Sequence, residues 1–136
     1  MRTLHIGLRV ADLDRSLAFY RAVGYEVVGT VPETPLGVLT MLKLPGDEFV
    51  TIELVYDPHG HANPGTGLSH LVIQVESMQA TIAGLSGRGV GAEAPDSHGS
   101  DDFLTSWIVD PDGNRIELVQ WPGGHPDGMT AADFES

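Results

Sequence analysis

Thr51-Ile52-Glu53-Leu54-Val55 and Arg115-Ile116-Glu117-Leu118-Val119 are near copies of one another, each setting one glutamate inside a run of β-branched and aliphatic residues. Such runs favour strands, where successive side chains alternate between the two faces. Each acid therefore shares its face with the residues two before and two after it. Ile52 and Leu54, like Ile116 and Leu118, turn to the other face. Each glutamate also has a histidine upstream at almost the same distance: His5 lies 48 residues before Glu53, and His70 lies 47 residues before Glu117. Matched positions of this kind point to a duplicated module.

Working outward, Leu4 to Val10 reads as a strand with His5, Gly7 and Arg9 on one face and Leu4, Ile6, Leu8 and Val10 on the other. Asp12 predicts a helix N-cap, Leu13, Leu17 and Tyr20 its apolar stripe, and Gly24 its stop. Strands over 25–31, 38–44 and 49–56 complete a βαβββ order, with Pro32 and Pro35 bracketing one loop and Pro45-Gly46-Asp47 forming a turn. A shift of 65 residues places His70 on His5, Val75 on Val10, Ser77 on Asp12, Met78 on Leu13, Ile82 on Leu17, Leu85 on Tyr20 and Gly89 on Gly24. Strands over 103–109 and 114–121 then flank Asp110-Pro111-Asp112-Gly113, a strong turn signal. An internal repeat accounts for all of these matches together. The expected fold is α+β, built from two tandem βαβββ modules within one domain over 1–121. The modules span about 1–56 and 67–121, with a polar linker over 57–66 and a tail over 122–136.

Composition narrows the function. Seven basic against nineteen acidic residues give a formal net charge of −12, which argues against nucleic acid as a partner. No apolar run approaches the ~20 residues of a membrane helix. Met1-Arg2-Thr3-Leu4-His5 runs into a strand pattern and not a signal-peptide pattern, so the expectation is a cytoplasmic protein with no membrane association. With no cysteine, any metal must sit on nitrogen and oxygen ligands.

If the helices cover the faces bearing Ile6, Leu8, Ile52 and Leu54, then His5 and Glu53 point into whatever concavity the sheet makes; His70 and Glu117 follow the same arithmetic. Taken singly, a strand histidine is usually hydrogen-bonded and inert, and a strand glutamate usually faces solvent. Four in a twofold repeat instead predict a divalent metal held by His5, Glu53, His70 and Glu117. Two imidazoles and two carboxylates suit Zn²⁺, Ni²⁺, Co²⁺, Mn²⁺ or Fe²⁺. His59, His61, His98 and His125 lie in Gly/Pro-rich loops, where a solvated side chain is expected; His98 has the further option of reaching a substrate. Arg9 either binds a substrate carboxylate or pairs with a structural acid.

The stretches from His5 to Tyr20, Thr51 to Leu54, His70-Leu71 and Asp110 to Leu118 together resemble the vicinal oxygen chelate superfamily. The resemblance covers residues 1 to about 121 and looks nearest to its bacterial glyoxalase I branch. It implies that the modules form a curled, eight-stranded mixed sheet, a cup around the metal. It also implies a homodimer in which His5 and Glu53 of one subunit meet His70 and Glu117 of the other. The implied substrate is the hemithioacetal of methylglyoxal with a thiol, the implied cofactor one Ni²⁺, Co²⁺ or Zn²⁺ per site. In the implied reaction the metal acts as a Lewis acid stabilising an enediolate. A ligand glutamate, Glu117 with Glu53 opposite it, would move the proton between adjacent carbons. Arg9 and Thr66 match substrate-binding positions of glutathione-using members. Asp57 stands where those members tend to carry asparagine, and the acidic loop 96–102 lacks their lysine. Other reactions of the superfamily, extradiol ring cleavage and epimerisation, and small-molecule sequestration without turnover, are the alternatives.

Overall fold

Both modules form as read from the sequence. The computed structural model describes residues 4–59, 68, 70–128 and 132. The chain divides into two units, Met1–Ser69 with Asp110–Asn114, and His70–Val109 with Arg115–Ser136. The first holds β1 (Ile6–Val10), α1 (Leu13–Val23), β2 (Glu26–Val31), β3 (Val38–Lys43) and β4 (Ile52–Tyr56). Its strands lie in the order β1-β4-β3-β2, with β1 parallel to β4 and the other pairs antiparallel. The second holds β5 (His70–Gln74), α2 (Met78–Gly87), β6 (Asp96–Ser97), β7 (Leu104–Val109) and β8 (Arg115–Gln120), in the matching order β5-β8-β7-β6. The fold is therefore α+β, and its eight strands lie as two four-stranded mixed sheets, one to each module.

Alternation decides which face of each sheet is buried. Leu8 and Val10 of β1 and Ile52 and Leu54 of β4 are buried, as are Leu71 and Ile73 of β5 and Ile116 and Leu118 of β8. Burying each such side chain contributes about 1.5–3 kcal/mol. The match extends to polar positions. Thr40 pairs with Leu54 and Ser106 with Leu118, and both hydroxyl residues are buried. Ser106 Oγ donates to the Glu93 carbonyl at 2.6 Å.

Both expected caps form. The Asp12 carboxylate accepts the Arg15 N–H and the Ser77 hydroxyl accepts the Ala80 N–H, each meeting one of the first-turn amides that a helix leaves unpaired. Gly24 closes α1 at φ 126°, a backbone angle glycine adopts without cost. The buried stripe of α1 departs from expectation. Its buried residues are Ser16 and Tyr20, while Leu13 and Leu17 are only half-buried. The acceptors for Ser16 and Tyr20 lie far away in sequence.

Those acceptors sit in the turn between β7 and β8, which belongs to the first unit. Asp110 Oδ1 accepts the N–H groups of Asp112 (2.9 Å) and Asn114 (2.7 Å). Its Oδ2 accepts the Tyr20 hydroxyl and the Asn114 side-chain amide, both at 2.8 Å. Asp112 accepts the Ser16 hydroxyl and the Ala11 N–H, each at 3.1 Å. Burial first, and then the Asp110 carboxylate, push the Tyr20 hydroxyl far above the usual phenol range.

β6 is the other departure. It occupies the place of the six-residue β2 but shrinks to Asp96–Ser97. The preceding Gly91-Ala92-Glu93-Ala94-Pro95 is poor in β-branched residues, and Pro95 has no N–H to give a ladder. Glu93 continues the contact with β7, its N–H donating to the Trp107 carbonyl at 3.0 Å.

Candidate metal centre

In the first unit the parallel register sets Gly7 beside Glu53. His5, two residues earlier, shares that face, just before the strand begins. His5 Nε2 lies 3.5 Å from Glu53 Oε1, with the imidazole 32% and the carboxylate 15% exposed. A Cβ added at Gly7 would sit 3.5 Å from Glu53 Oε2, so a side chain larger than a methyl would press on the carboxylate. Met41 of β3 flanks Glu53 on its other side.

The second unit repeats the arrangement with different neighbours. Val72 takes the place of Gly7 beside Glu117, and His70, two residues before it, shares the face. Trp107 takes the place of Met41. Its ring meets His70 edge-on at 5.3 Å, and the Arg115 guanidinium lies 4.0 Å from the ring centroid. A cation over an indole face contributes about 0.5–1 kcal/mol at an exposed site. Glu117 is half-buried, as is Glu53. Trp107 and Arg115 escaped the sequence reading. The sequence shift of 64–65 residues does not bring Met41 onto Trp107; the strand register does.

The two residues of the first pair suit a common ion. Ligands at about 2.1 Å from one cation and at right or tetrahedral angles to each other stand roughly 3.0–3.4 Å apart, close to the 3.5 Å between His5 and Glu53. Among the described residues, no three or more metal-competent side chains of one chain come together. Each unit thus presents one histidine and one glutamate on one face.

The remaining expected positions are distributed as follows. Arg9 is exposed on the face of His5, paired with Val55, and forms no ion pair among the described residues. Asp57 follows β4, half-buried, its carboxylate accepting the His59 N–H at 2.8 Å. Thr66 and His61 lie outside the described residues. His98 bonds Thr105 Oγ1 at 2.7 Å, and His125 stacks on Trp121 with ring centroids 4.4 Å apart. In the acidic loop, the Gly123 N–H and then the Ser100 hydroxyl hold the Asp102 carboxyl below its usual range. A cavity of about 630 Å³ opens between the β2–β3 loop and the end of β4, lined by residues that include Glu33, Thr34, Asp57 and His59. No helix among the described residues is long and apolar enough to cross a membrane.

Duplicated βαβββ modules, each with a parallel strand pair carrying a histidine and a glutamate on one face, define a class of small α+β proteins built by internal repetition. Residues 2–118 match the model of the Glyoxalase/Bleomycin resistance protein/Dioxygenase superfamily, and the chain belongs to that superfamily. It is 35% identical to a lactoylglutathione lyase of Haemophilus influenzae, over 88% of this chain and 93% of that one. Among solved structures it is similar to a glyoxalase I variant from Zea mays, with 25% identity and a TM-score of 0.72, over 88% of this chain and 44% of that longer one. It also shares its fold with TnmS3, an antibiotic binding protein from Streptomyces sp. CB03234, at 24% identity and a TM-score of 0.70, over 90% and 98% of the two chains.

Proposed function

We propose that the chain is a metal-dependent isomerase of the glyoxalase I type, turning the hemithioacetal of a 2-oxoaldehyde such as methylglyoxal into a 2-hydroxyacyl thioester. The observation that carries this reading is the His5–Glu53 pair at 3.5 Å, with its register-matched counterpart in the second module. The relatives named lactoylglutathione lyase support it. His5, Glu53, His70 and Glu117 would hold the ion, and Ni²⁺, Co²⁺ and Zn²⁺ all accept this nitrogen and oxygen set. When bound, the ion supplies Lewis-acid polarisation of the two neighbouring substrate oxygens.

The chain's own residues do the rest. Glu117 takes the proton from the carbon bearing sulfur and hydroxyl and returns it to the adjacent carbonyl carbon. A second proton passes between the two oxygens, so the reaction is an isomerisation with no external oxidant. The Trp107 indole beside Glu117 keeps bulk water from that carboxylate. Arg9, exposed on the face of His5 and Glu53, together with Asp57 and Thr66, would meet the parts of the substrate that do not react. Oxygen uptake with catechols would mark a ring-cleaving member of the superfamily instead.

In this reading the four-ligand centre is shared between two copies of the chain. His5 and Glu53 come from one copy, and His70 and Glu117 come from the other. Each copy contributes residues 1–121 as one two-module domain, joined through the 57–66 linker and followed by the 122–136 tail. Protein equilibrated with Ni²⁺, Co²⁺ or Zn²⁺ and then desalted is expected to retain close to one ion per chain by elemental analysis; none retained would remove the site.

Mixing variants tests the sharing. His5→Ala and His70→Ala homodimers each carry two damaged centres. When the two are unfolded and refolded together, about half of the dimers pair unlike chains, and each of these carries one intact centre, so roughly one quarter of wild-type activity is expected to return. Activity in neither parent and none in the mixture would place all four ligands within one chain.

A further inference from the structure

The cavity between the β2–β3 loop and the end of β4 bears on which thiol the protein accepts. It is about 630 Å³ in volume, within the ordinary size range of small-ligand sites. Its walls are Pro32, Glu33, Thr34, Pro35, Gly37, Val38, Asp57, Pro58 and His59. The shape is built in. Gly37, at φ 117°, packs so closely on the Tyr56 carbonyl that a Cβ there would collide with the backbone. The Thr34 hydroxyl donates to the Gly37 carbonyl at 2.6 Å and accepts the Leu36 N–H at 3.1 Å, holding the loop in its turn. The three prolines remove N–H groups and backbone freedom from the rim.

The cavity also continues the ligand face. Asp57 follows Glu53 and Val55 at two-residue intervals, about 13 Å along the strand direction from Glu53. A substrate whose reacting carbons lie at Glu53 thus extends its carrier group toward Asp57. Among the described lining residues there are two carboxylates, Glu33 and Asp57, one imidazole, His59, and no lysine or arginine. Arg9, paired with Val55, is not among the described lining residues.

We infer that this cavity receives the carrier of the thiol substrate and selects a neutral or cationic carrier, bearing hydroxyl or amino groups, over one bearing free carboxylates. The inference rests on the isomerase reading above. A carboxylate placed here meets two like charges, with the His59 imidazole the sole basic group among the described lining residues, whereas hydroxyl and ammonium groups find acceptors on both acids.

Glutathione and its diethyl ester form a suitable pair of probes, differing in their two carboxylates. With methylglyoxal hemithioacetals of each, kcat/KM is expected to favour the ester by about tenfold or more at low ionic strength, and less in salt. Calorimetry with S-hexylglutathione and its diethyl ester should give the same order of affinity for the metal-loaded protein. The double substitution Glu33→Gln with Asp57→Asn is expected to bring both ratios close to one, chiefly by improving the acid forms. Equal or tighter binding of the diacid by the wild type, or ratios unmoved by the double substitution, would overturn the inference. Fast turnover of the glutathione adduct over the ester leaves the isomerase reading intact while sinking this one. No turnover of either, with the ester thioether still bound more tightly, sinks the isomerase reading and leaves the cavity's selectivity standing.

Discussion

Glu117→Gln is expected to lower kcat by about 10²–10⁴-fold at saturating metal, the contribution of a side chain proposed to move a proton in the rate-determining step. The amide keeps the shape of the acid and its packing beside Trp107, so the loss falls on chemistry and not on folding. It can still offer an oxygen to a cation, but it cannot accept the proton from the substrate carbon. A matching substitution at His125, which stacks on Trp121 after the last strand, is expected to leave kcat within a few-fold of wild type. Initial rates across a metal titration separate weakened ion binding, which excess metal corrects, from the missing base, which it does not. Near-normal kcat for Glu117→Gln together with a large loss for Glu53→Gln would transfer the proton-moving role to Glu53.

Asp110→Ala is expected to be the most destabilising single change in the chain. It strips the acceptor from four donors at once: the Tyr20 hydroxyl, the Asn114 side-chain amide and the N–H groups of Asp112 and Asn114. Asp110 and Asn114 are 4% and 8% exposed, so water does not freely replace what is lost. At about 1–3 kcal/mol for each buried donor left unmet, and with partial relaxation, a loss of roughly 3–5 kcal/mol follows. Chemical denaturation with an unchanged m-value measures it. A loss below about 1 kcal/mol would show that the turn is not holding α1.

The same contact sets the alkaline limit. The Tyr20 hydroxyl ionises above its ordinary value of 10.0 in the folded protein, for burial first and the Asp110 charge second. The unfolded chain therefore sheds this proton first as pH rises. The stabilisation is complete below about pH 10 and declines above it. Burial raises Tyr25 in the same direction. Tyr20→Phe should flatten part of the decline in unfolding free energy above pH 10, leaving the part due to Tyr25.

What could be read from the sequence was local or periodic. The caps Asp12 and Ser77, the Gly24 stop and the two glutamates inside aliphatic runs each announce themselves within a few residues, and the repeat doubles every signal. The buried stripe of α1 could be read only in part. The apolar spacing favoured Leu13, Leu17 and Tyr20; Tyr20 is buried, but Ser16 takes the other buried place through its partner Asp112, 96 residues away. β6 was invisible because two residues carry no period. Of the candidate metal ligands, the histidines and glutamates stand out in the sequence as matched exceptions to the alternation. Trp107 and Arg115 were not, since an aromatic residue in a strand and a basic residue at its start are ordinary until the register sets them beside Glu117 and His70. The cavity depends on a loop folding back over a strand end, which neither stretch reveals alone.

The Asp110–Asn114 turn has a consequence for the history of the chain. It is encoded in the later copy, yet its side chains complete the first helix, and no equivalent acceptor for Ser16 or Tyr20 lies within residues 4–59. A half-length ancestor standing alone would have lacked those acceptors and needed a second molecule to lend them. With both copies on one chain those acceptors are supplied covalently, and the first helix depends on the later copy for them.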